Sequence, residues 1–191
     1  MPSNKRDAIL KAAAIVFARR GFFQSQVADI AREAGVAAGT VYLYFRSKDD
    51  LLVSIFERTM TDVMAEARLT LAKATNQADR IRRIARLHFE RMTRDRDLAV
   101  VFQIELRQSI KFMKRFSSTY LRDYIGLMRD TIARGQIDGT FRKNVNPTLA
   151  AKVLFGALDE MATNWILSRR RYSLPAQANA VVDLFLNGIN R

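Results

Sequence analysis

The chain has 191 residues, 49% of them hydrophobic, and it carries a net charge of +13. This length fits one domain, or one core with a small appended domain, and the hydrophobic content is enough for a sizeable core. Since the sequence contains no cysteine, disulfides, thiolate metal sites and cysteine nucleophiles are excluded. Eight glycines and three prolines indicate few turns, so we predict that helices dominate.

The N-terminal sequence MPSNKRDAILKAAA lacks the long apolar run of a signal peptide. No stretch of the chain reaches the ~18 apolar residues of a membrane-spanning helix. We therefore expect a cytoplasmic protein with no membrane partner.

The first predicted helix covers residues 4–20 and ends at Gly21. A shorter helix is predicted next, because apolar residues recur at offsets 0, 3, 4 and 7 and form one face: Val27, Ile30, Ala31 and Ala34. We expect the hydroxyl of Ser25 to cap this helix. Gly35 follows where the helix must stop, and glycine accepts the left-handed conformation found at helix ends.

A third helix, also short, is predicted over residues 37–45. Val41 and Phe45 are four residues apart and can face inward, which leaves hydroxyl, aromatic and apolar side chains on the other faces: Thr40, Tyr42, Leu43 and Tyr44. Such a surface suits contacts with phosphates and base edges. The pattern is typical of a helix-turn-helix, which places its second helix in the DNA major groove. An ordinary helical hairpin with partly buried tyrosines is the alternative.

The rest of the chain predicts further amphipathic helices. Ser47 is a capping residue followed by Asp49 and Asp50, and the helix that begins there is expected to run towards Thr75. Later helices are predicted over residues 77–94, 96–109, 112–137, 147–171 and 175–189. The prediction is therefore an all-α fold of about nine helices.

The positive charge is distributed unevenly along the chain. Residues 1–50 contain eight basic and five acidic residues, whereas residues 51–191 contain 24 and 14. Most of the excess therefore lies outside the predicted helix-turn-helix. One interpretation is a general basic field that favours nucleic acid. The other is an anion-binding site in the second region.

The stretch GFFQSQVADIAREAGVAAGTVYLYFRSKDDLL resembles the signature of the TetR family of bacterial transcription regulators. The resemblance implies a TetR-like fold, with a helix-turn-helix DNA-binding domain at 1–47 and a helical ligand-binding and dimerisation domain at 48–191. It also implies a homodimer that binds a pseudo-palindromic operator in double-stranded DNA and leaves it when a small molecule binds. The DNA-binding residues it implies are Ser25 and Gln26 near the backbone, Gly39, Thr40 and Leu43 at the bases, and Tyr42, Tyr44 and Lys48 at phosphates.

The sequence departs from many relatives at three positions of the helix-turn-helix. Ala28, Ala37 and Ala38 stand where polar or basic side chains are common. Few long side chains are therefore available for bidentate base contacts. We expect specificity to depend on Thr40, on backbone approach at Gly39 and on DNA shape.

Two later stretches, LAVVFQIELRQS at 98–109 and VLFGALDEMATNWILSRRRYSL at 153–174, resemble the FadR-type branch of this family. Regulators of that branch repress fatty-acid degradation genes and are released by long-chain acyl-CoA. The resemblance implies a long-chain acyl-CoA effector. No His/carboxylate spacing suggests a metal, and we expect no cofactor. The resemblance also suggests a role for the basic second region, because coenzyme A carries several phosphate charges.

An acyl-CoA site needs an apolar tunnel between helices and a basic mouth. Large apolar side chains on successive predicted helices supply such a surface, although a stripe at helical spacing is more often core. Polar residues within these apolar stretches have two interpretations. Arg107 forms a buried ion pair with Glu105 or Asp159, or these side chains form a cluster that contacts the ligand. The candidate ligand-binding residues are Phe102, Leu106, Arg107, Phe116, Tyr120, Tyr124, Phe155, Asp159, Ala162, Trp165, Ile166 and Arg169.

An enzymatic function is not indicated. The only histidine, His88, is expected in the core, and no phosphate-binding glycine loop or metal-ligand spacing is present. Three classes remain: a ligand-released repressor, a constitutive DNA-binding protein, and a lipid carrier or enzyme with an incidental helix-turn-helix. We favour the first, with acyl-CoA as effector; the alternative is a TetR-type repressor of a different small apolar or anionic ligand.

Overall fold

The computed structural model describes residues 2–168 and 172–189, and helices dominate them. The α-helices are α1 (Pro2–Arg20), α2 (Val27–Glu33), α3 (Ala38–Tyr44), α4 (Lys48–Leu71), α5 (Gln77–Arg94), α6 (Arg96–Val100), α7 (Ile110–Phe116), α8 (Arg122–Ile137), α9 (Pro147–Leu167) and α10 (Ala178–Ile189).

Two of these helices continue through irregular turns. A π-helical segment, Val101–Glu105, and a 3-10 turn, Leu106–Gln108, extend α6. A second π-helical segment, Ser117–Leu121, joins α7 to α8 without a break. The described residues therefore form nine continuous helices, which confirms the predicted all-α fold.

Short-range capping places the start of α9 at the residue that the sequence predicts. Asn146 precedes α9, and its Oδ1 accepts hydrogen bonds from the backbone N–H groups of Thr148 at 2.9 Å and Leu149 at 3.1 Å. Pro147 then occupies the first helical turn, where proline loses no hydrogen bond. α4 ends at Leu71, four residues before the expected Thr75.

The described chain divides into two compact units. Unit 1 contains the residues up to Thr61 together with Asp95–Phe116. It includes α1 to α3, the first part of α4, and α6 with its extension, which packs on α1. Its largest fully buried side chains are Ile9, Phe17, Ile30, Phe45, Leu51, Leu52 and Leu106.

Unit 2 contains Asp62–Arg94 and the residues from Ser117 onward. Here α8 packs on α9 and α5, while α10 packs on α5. Met128 and Leu158 are fully buried in this core. The loop after α8 returns to the helix, since the Phe141 N–H donates to the Gly135 carbonyl at 2.8 Å. None of the described helices is both long and apolar enough to cross a membrane.

Candidate nucleic-acid interface and effector region

The turn between α2 and α3 has the geometry that the sequence predicts. Gly35 adopts a φ of 66°, the left-handed conformation. The Val36 N–H donates to the Ala31 carbonyl at 3.0 Å and the Gly35 N–H donates to the Arg32 carbonyl at 3.2 Å. These two bonds form a Schellman motif, which ends α2 and directs the chain into α3.

The face of α3 opposite the core is exposed and partly apolar. Val41 and Phe45 are 0% and 2% exposed, as predicted, whereas Leu43 is 81% and Tyr42 58% exposed. Gly39 is also exposed, and a Cβ built on it would meet no atom within 4 Å. The exposed leucine and tyrosine are therefore adjacent on this seven-residue helix and accessible to a partner. Thr40 and Tyr44 are half-buried at its edges.

The prediction that Ser25 caps α2 is wrong. Its side chain is only 3% exposed, and its hydroxyl donates to the Gly21 carbonyl at 2.6 Å, so it binds the end of α1. Gln26 is instead the N-cap residue, in extended conformation, and its backbone N–H donates to Asp29 Oδ2 at 3.3 Å. The exposed Gln26 side chain stands at the start of the helix-turn-helix.

Lys48 has protein partners in the structure. Its ammonium donates to the Ser25 carbonyl at 2.9 Å and to the Phe23 carbonyl at 3.1 Å. It also lies 4.7 Å from the centre of the Phe22 ring. A lysine ammonium has three N–H donors, so these two bonds leave one for the phosphate that the sequence assigns to it.

The candidate ligand residues of unit 1 pack around an aromatic cluster. The Phe102 ring lies 4.9 Å from that of Phe56 and 5.7 Å from that of Phe116, between ring centres. Leu106 is 2% exposed. Arg107 is exposed, and its Nη2 donates to Gln103 Oε1 at 2.9 Å.

The candidate ligand residues of unit 2 line α8, α9 and the turn before α8. Ala162 and Ile166 are buried, and the half-buried Trp165 donates its ring N–H to the Tyr172 carbonyl at 3.2 Å. Tyr120, Phe155 and Asp159 are half-buried. Arg169 lies outside the described residues. The predicted set thus separates into two groups, one in each unit.

A buried polar pair, which the sequence pattern did not reveal, lies in unit 2 and includes Tyr124 of the second group. His88 Nδ1 is 3.2 Å from the Tyr124 hydroxyl, and their rings stack 5.9 Å apart. His88 Nε2 is buried without a hydrogen-bond partner, and the Phe155 ring lies 6.2 Å away. Burial lowers the pKa of His88 to about 4, although the nearby Asp159 charge opposes this shift. Burial likewise raises the pKa of Tyr124, so both groups are neutral near pH 7.

Arginines of α5 form ion pairs with acidic residues. Arg82 pairs with Asp183 at 2.6 Å, while Arg91 and Arg94 pair with Glu66 at 2.5 Å and 3.2 Å. Burial tends to raise the pKa of Glu66, but the hydrogen bonds and charges of Arg94 and Arg91 together lower it below its ordinary value. These arginines therefore have structural roles in addition to any contact with an anion.

A helix-turn-helix that presents an exposed recognition helix, followed by a helical body, defines a DNA-binding transcription regulator. Residues 9–55 match the model of the bacterial regulatory proteins of the tetR family. Residues 56–188 match that of the C-terminal region of YsiA-like proteins. The chain therefore belongs to the tetR family of bacterial regulatory proteins, which act on transcription rather than as enzymes.

Similar proteins include regulators of fatty-acid metabolism. The fatty acid metabolism regulator protein of Bacillus subtilis strain 168 is 33% identical over 182 residues, which cover 95% of this chain and 94% of that protein. The structure of the fatty acid degradation regulator FadR from Bacillus halodurans has a TM-score of 0.92 and 36% identity, covering 98% of this chain and 97% of its own. FadR from B. subtilis, solved in complex with stearoyl-CoA, has a TM-score of 0.91 and 32% identity, with coverages of 96% and 99%. The resemblance to FadR-type regulators is confirmed.

Proposed function

We propose that this protein is a homodimeric repressor of fatty-acid degradation genes, acting in the cytoplasm and released from its operator by long-chain acyl-CoA. The observation that carries the DNA-binding part is the exposed face of α3, with Leu43 81% and Tyr42 58% exposed. The effector class is supported by similarity over nearly the whole chain to a fatty acid metabolism regulator and to a regulator solved with stearoyl-CoA.

We assign base contacts to Gly39, Thr40 and Leu43, since they lie on or beside the exposed face of α3. The Leu43 side chain can cover a thymine methyl group in the major groove. Tyr42, at the neighbouring position, can donate its hydroxyl to a phosphate, as can Tyr44 and the third N–H of Lys48. Gln26 and Ser25 precede the N-terminus of α2, where backbone N–H groups also attract phosphate.

The dimer is proposed to form through α9 and α10. Exposed positions of α9 recur at helical spacing and include Leu149, Val153 and Leu167, which are 60%, 56% and 66% exposed. Leu184 of α10 is 78% exposed. Two such helices from each protomer make a four-helix bundle, which buries these apolar side chains and gives a two-fold axis.

Each of the two units holds apolar and polar candidates for contact with the effector. In unit 1 the aromatic cluster of Phe102 and Phe116 supplies apolar surface for an acyl chain, and in unit 2 that of Tyr124 and Phe155 does so. Leu106 is assigned to the apolar surface of unit 1. Tyr120, Ala162, Trp165 and Ile166 are assigned to that of unit 2. Arg107 in unit 1 and Arg169 are each assigned to phosphates of the ligand, because guanidinium groups bind phosphates strongly. Asp159 in unit 2 is assigned to a hydrogen-bond donor of the ligand, because a carboxylate only accepts.

Release follows from a change in spacing between the two recognition helices. A dimer bound to successive major grooves holds them about 34 Å apart. Acyl-CoA is proposed to favour an arrangement in which α4 has moved and this spacing no longer fits the half-sites. By linkage, the operator must weaken acyl-CoA binding by the same factor that acyl-CoA weakens operator binding.

The test begins by selecting the operator from a pool of random duplexes. Release of the labelled operator is then measured with stearoyl-CoA, free stearate and acetyl-CoA. The proposal predicts release by stearoyl-CoA alone, because both the chain and the charged head group contribute. Operator binding that ignores all three would contradict the acyl-CoA assignment and would favour a repressor of a different small apolar or anionic ligand.

A further inference from the structure

The loop between α1 and α2, residues 21–26, is held by two charged side chains of unit 1. One is Lys48, at the start of α4, which donates to two carbonyls of this loop. The other is Glu105, at the end of the π-helical segment after α6. Its Oε2 accepts a hydrogen bond from the Phe22 N–H at 2.7 Å, across 83 residues of sequence.

Glu105 is a buried carboxylate that contacts this loop, not an exposed surface charge. Its side chain is 6% exposed, and its Oε1 accepts a second hydrogen bond from Gln108 Nε2 at 3.2 Å. A Cβ built on Gly21 would lie 3.4 Å from Glu105 Oε2, so the backbone of the loop touches the carboxylate. A hydrogen bond from a backbone N–H to a buried carboxylate is stronger than one between two neutral groups. A buried N–H that loses its acceptor costs free energy.

Phe22 connects this hydrogen bond to the packing of the loop. Its ring is 5.2 Å from the ring of Phe17 on α1 and 5.2 Å from that of Phe112 on α7. The Lys48 ammonium lies over the same ring. Residue 22 is therefore fixed through both its backbone and its side chain, four residues before the N-cap of α2.

The segment that carries Glu105 also carries a candidate effector residue. Phe102 lies in Val101–Glu105 and packs against Phe56 and Phe116. A π-helical turn contains an extra residue and is often found at functional sites. If this segment changed to α-helix, the residues after the extra one would rotate by about 100° around the helix axis. Such a rotation would carry the Glu105 carboxylate away from the Phe22 N–H.

We propose that Glu105 is a positioning residue for operator binding: its carboxylate holds the Phe22 N–H, aligns the helix-turn-helix, and transmits changes in the effector-contacting π-helical segment to it. The inference rests on the proposed operator binding and release. The bond is intact in the DNA-binding arrangement and is broken when the effector moves the segment.

The test measures operator affinity of Glu105→Ala and Glu105→Gln, each with and without stearoyl-CoA. Glu105→Ala leaves the Phe22 N–H unpaired and should weaken operator binding about ten-fold without effector. Glu105→Gln keeps an oxygen acceptor without the charge and should restore part of this loss. Glu57→Gln is the matched control. Glu57 also forms an ion pair within unit 1, with Arg115 at 3.5 Å, but it is partly exposed and this pair does not involve the loop.

The release factor, the ratio of operator affinities without and with stearoyl-CoA, distinguishes transmission from a merely structural role. If Glu105 transmits the change, both variants should have a smaller release factor than the wild type, because the bond that the effector breaks is already weakened or absent. A structural role would lower both affinities equally and leave the release factor unchanged, which would overturn the inference. Amide exchange at Phe22 should accelerate in Glu105→Gln, and unchanged exchange with unchanged affinity would also overturn it. Failure of stearoyl-CoA to release the wild-type protein would instead contradict the proposed function.

Discussion

The buried His88 makes a strong prediction about stability in acid. Its pKa falls from 6.5 to about 4 on folding because burial disfavours the imidazolium. Below pH 6.5 the unfolded chain takes up a proton that the folded protein takes up only near pH 4, so stability falls as the pH is lowered through this window. The full difference in pKa corresponds to about 3 kcal/mol of unfolding free energy. About 2 kcal/mol of this is lost between pH 7 and about pH 4.5.

The assay is urea unfolding at both pH values, followed by far-UV circular dichroism, for the wild type and His88→Gln. Carboxylates with lowered pKa values, such as Glu66, also destabilise the protein in acid, but they do so in both proteins. The free energy of unfolding of His88→Gln should therefore fall by about 2 kcal/mol less than that of the wild type. Equal losses in the two proteins would refute the assignment of His88 as a buried neutral group.

Four further substitutions test the turn, the core and the DNA contacts. Gly35→Ala should cost about 1 kcal/mol of unfolding free energy in urea titrations, because alanine is strained at a φ of 66° although no atom blocks its Cβ. Gly135→Ala should cost more, about 2–3 kcal/mol, since its Cβ would overlap the buried Phe141 ring; an equal or smaller loss than for Gly35→Ala would contradict the packing argument. Leu43→Ala should leave the melting temperature unchanged and weaken operator binding about five-fold at every salt concentration, because it removes an apolar contact. Lys48→Ala should instead reduce the slope of log affinity against log salt concentration by about one. An unchanged slope would contradict the phosphate contact assigned to Lys48.

Local sequence signals predicted the helix-turn-helix well. Gly35, the apolar spacing before it and the Val41 and Phe45 pair all act within a few residues, so the Schellman turn and the inward face of α3 follow from chain order alone. The same holds for the start of α9, where Asn146 caps its own helix. These interactions are encoded by spacing because both partners lie on the same or adjacent turns.

Interactions between distant segments were not predictable in this way. Ser25 has the residue type of a cap, yet it lies one residue before the N-cap of α2, and its hydroxyl binds the Gly21 carbonyl at the end of α1. Glu105 and Phe22 are 83 residues apart, and His88 meets Tyr124 across two helices. Their side chains meet only once the helices have packed, which residue spacing within one helix does not specify.

The central claim is that operator and acyl-CoA bind the same dimer and oppose one another. The most direct test is calorimetric titration of stearoyl-CoA into the free protein and into the protein saturated with its selected operator. The account predicts weaker stearoyl-CoA binding to the operator complex, by the same factor by which saturating stearoyl-CoA weakens operator binding. Equal stearoyl-CoA affinity for the free and operator-bound protein would contradict it.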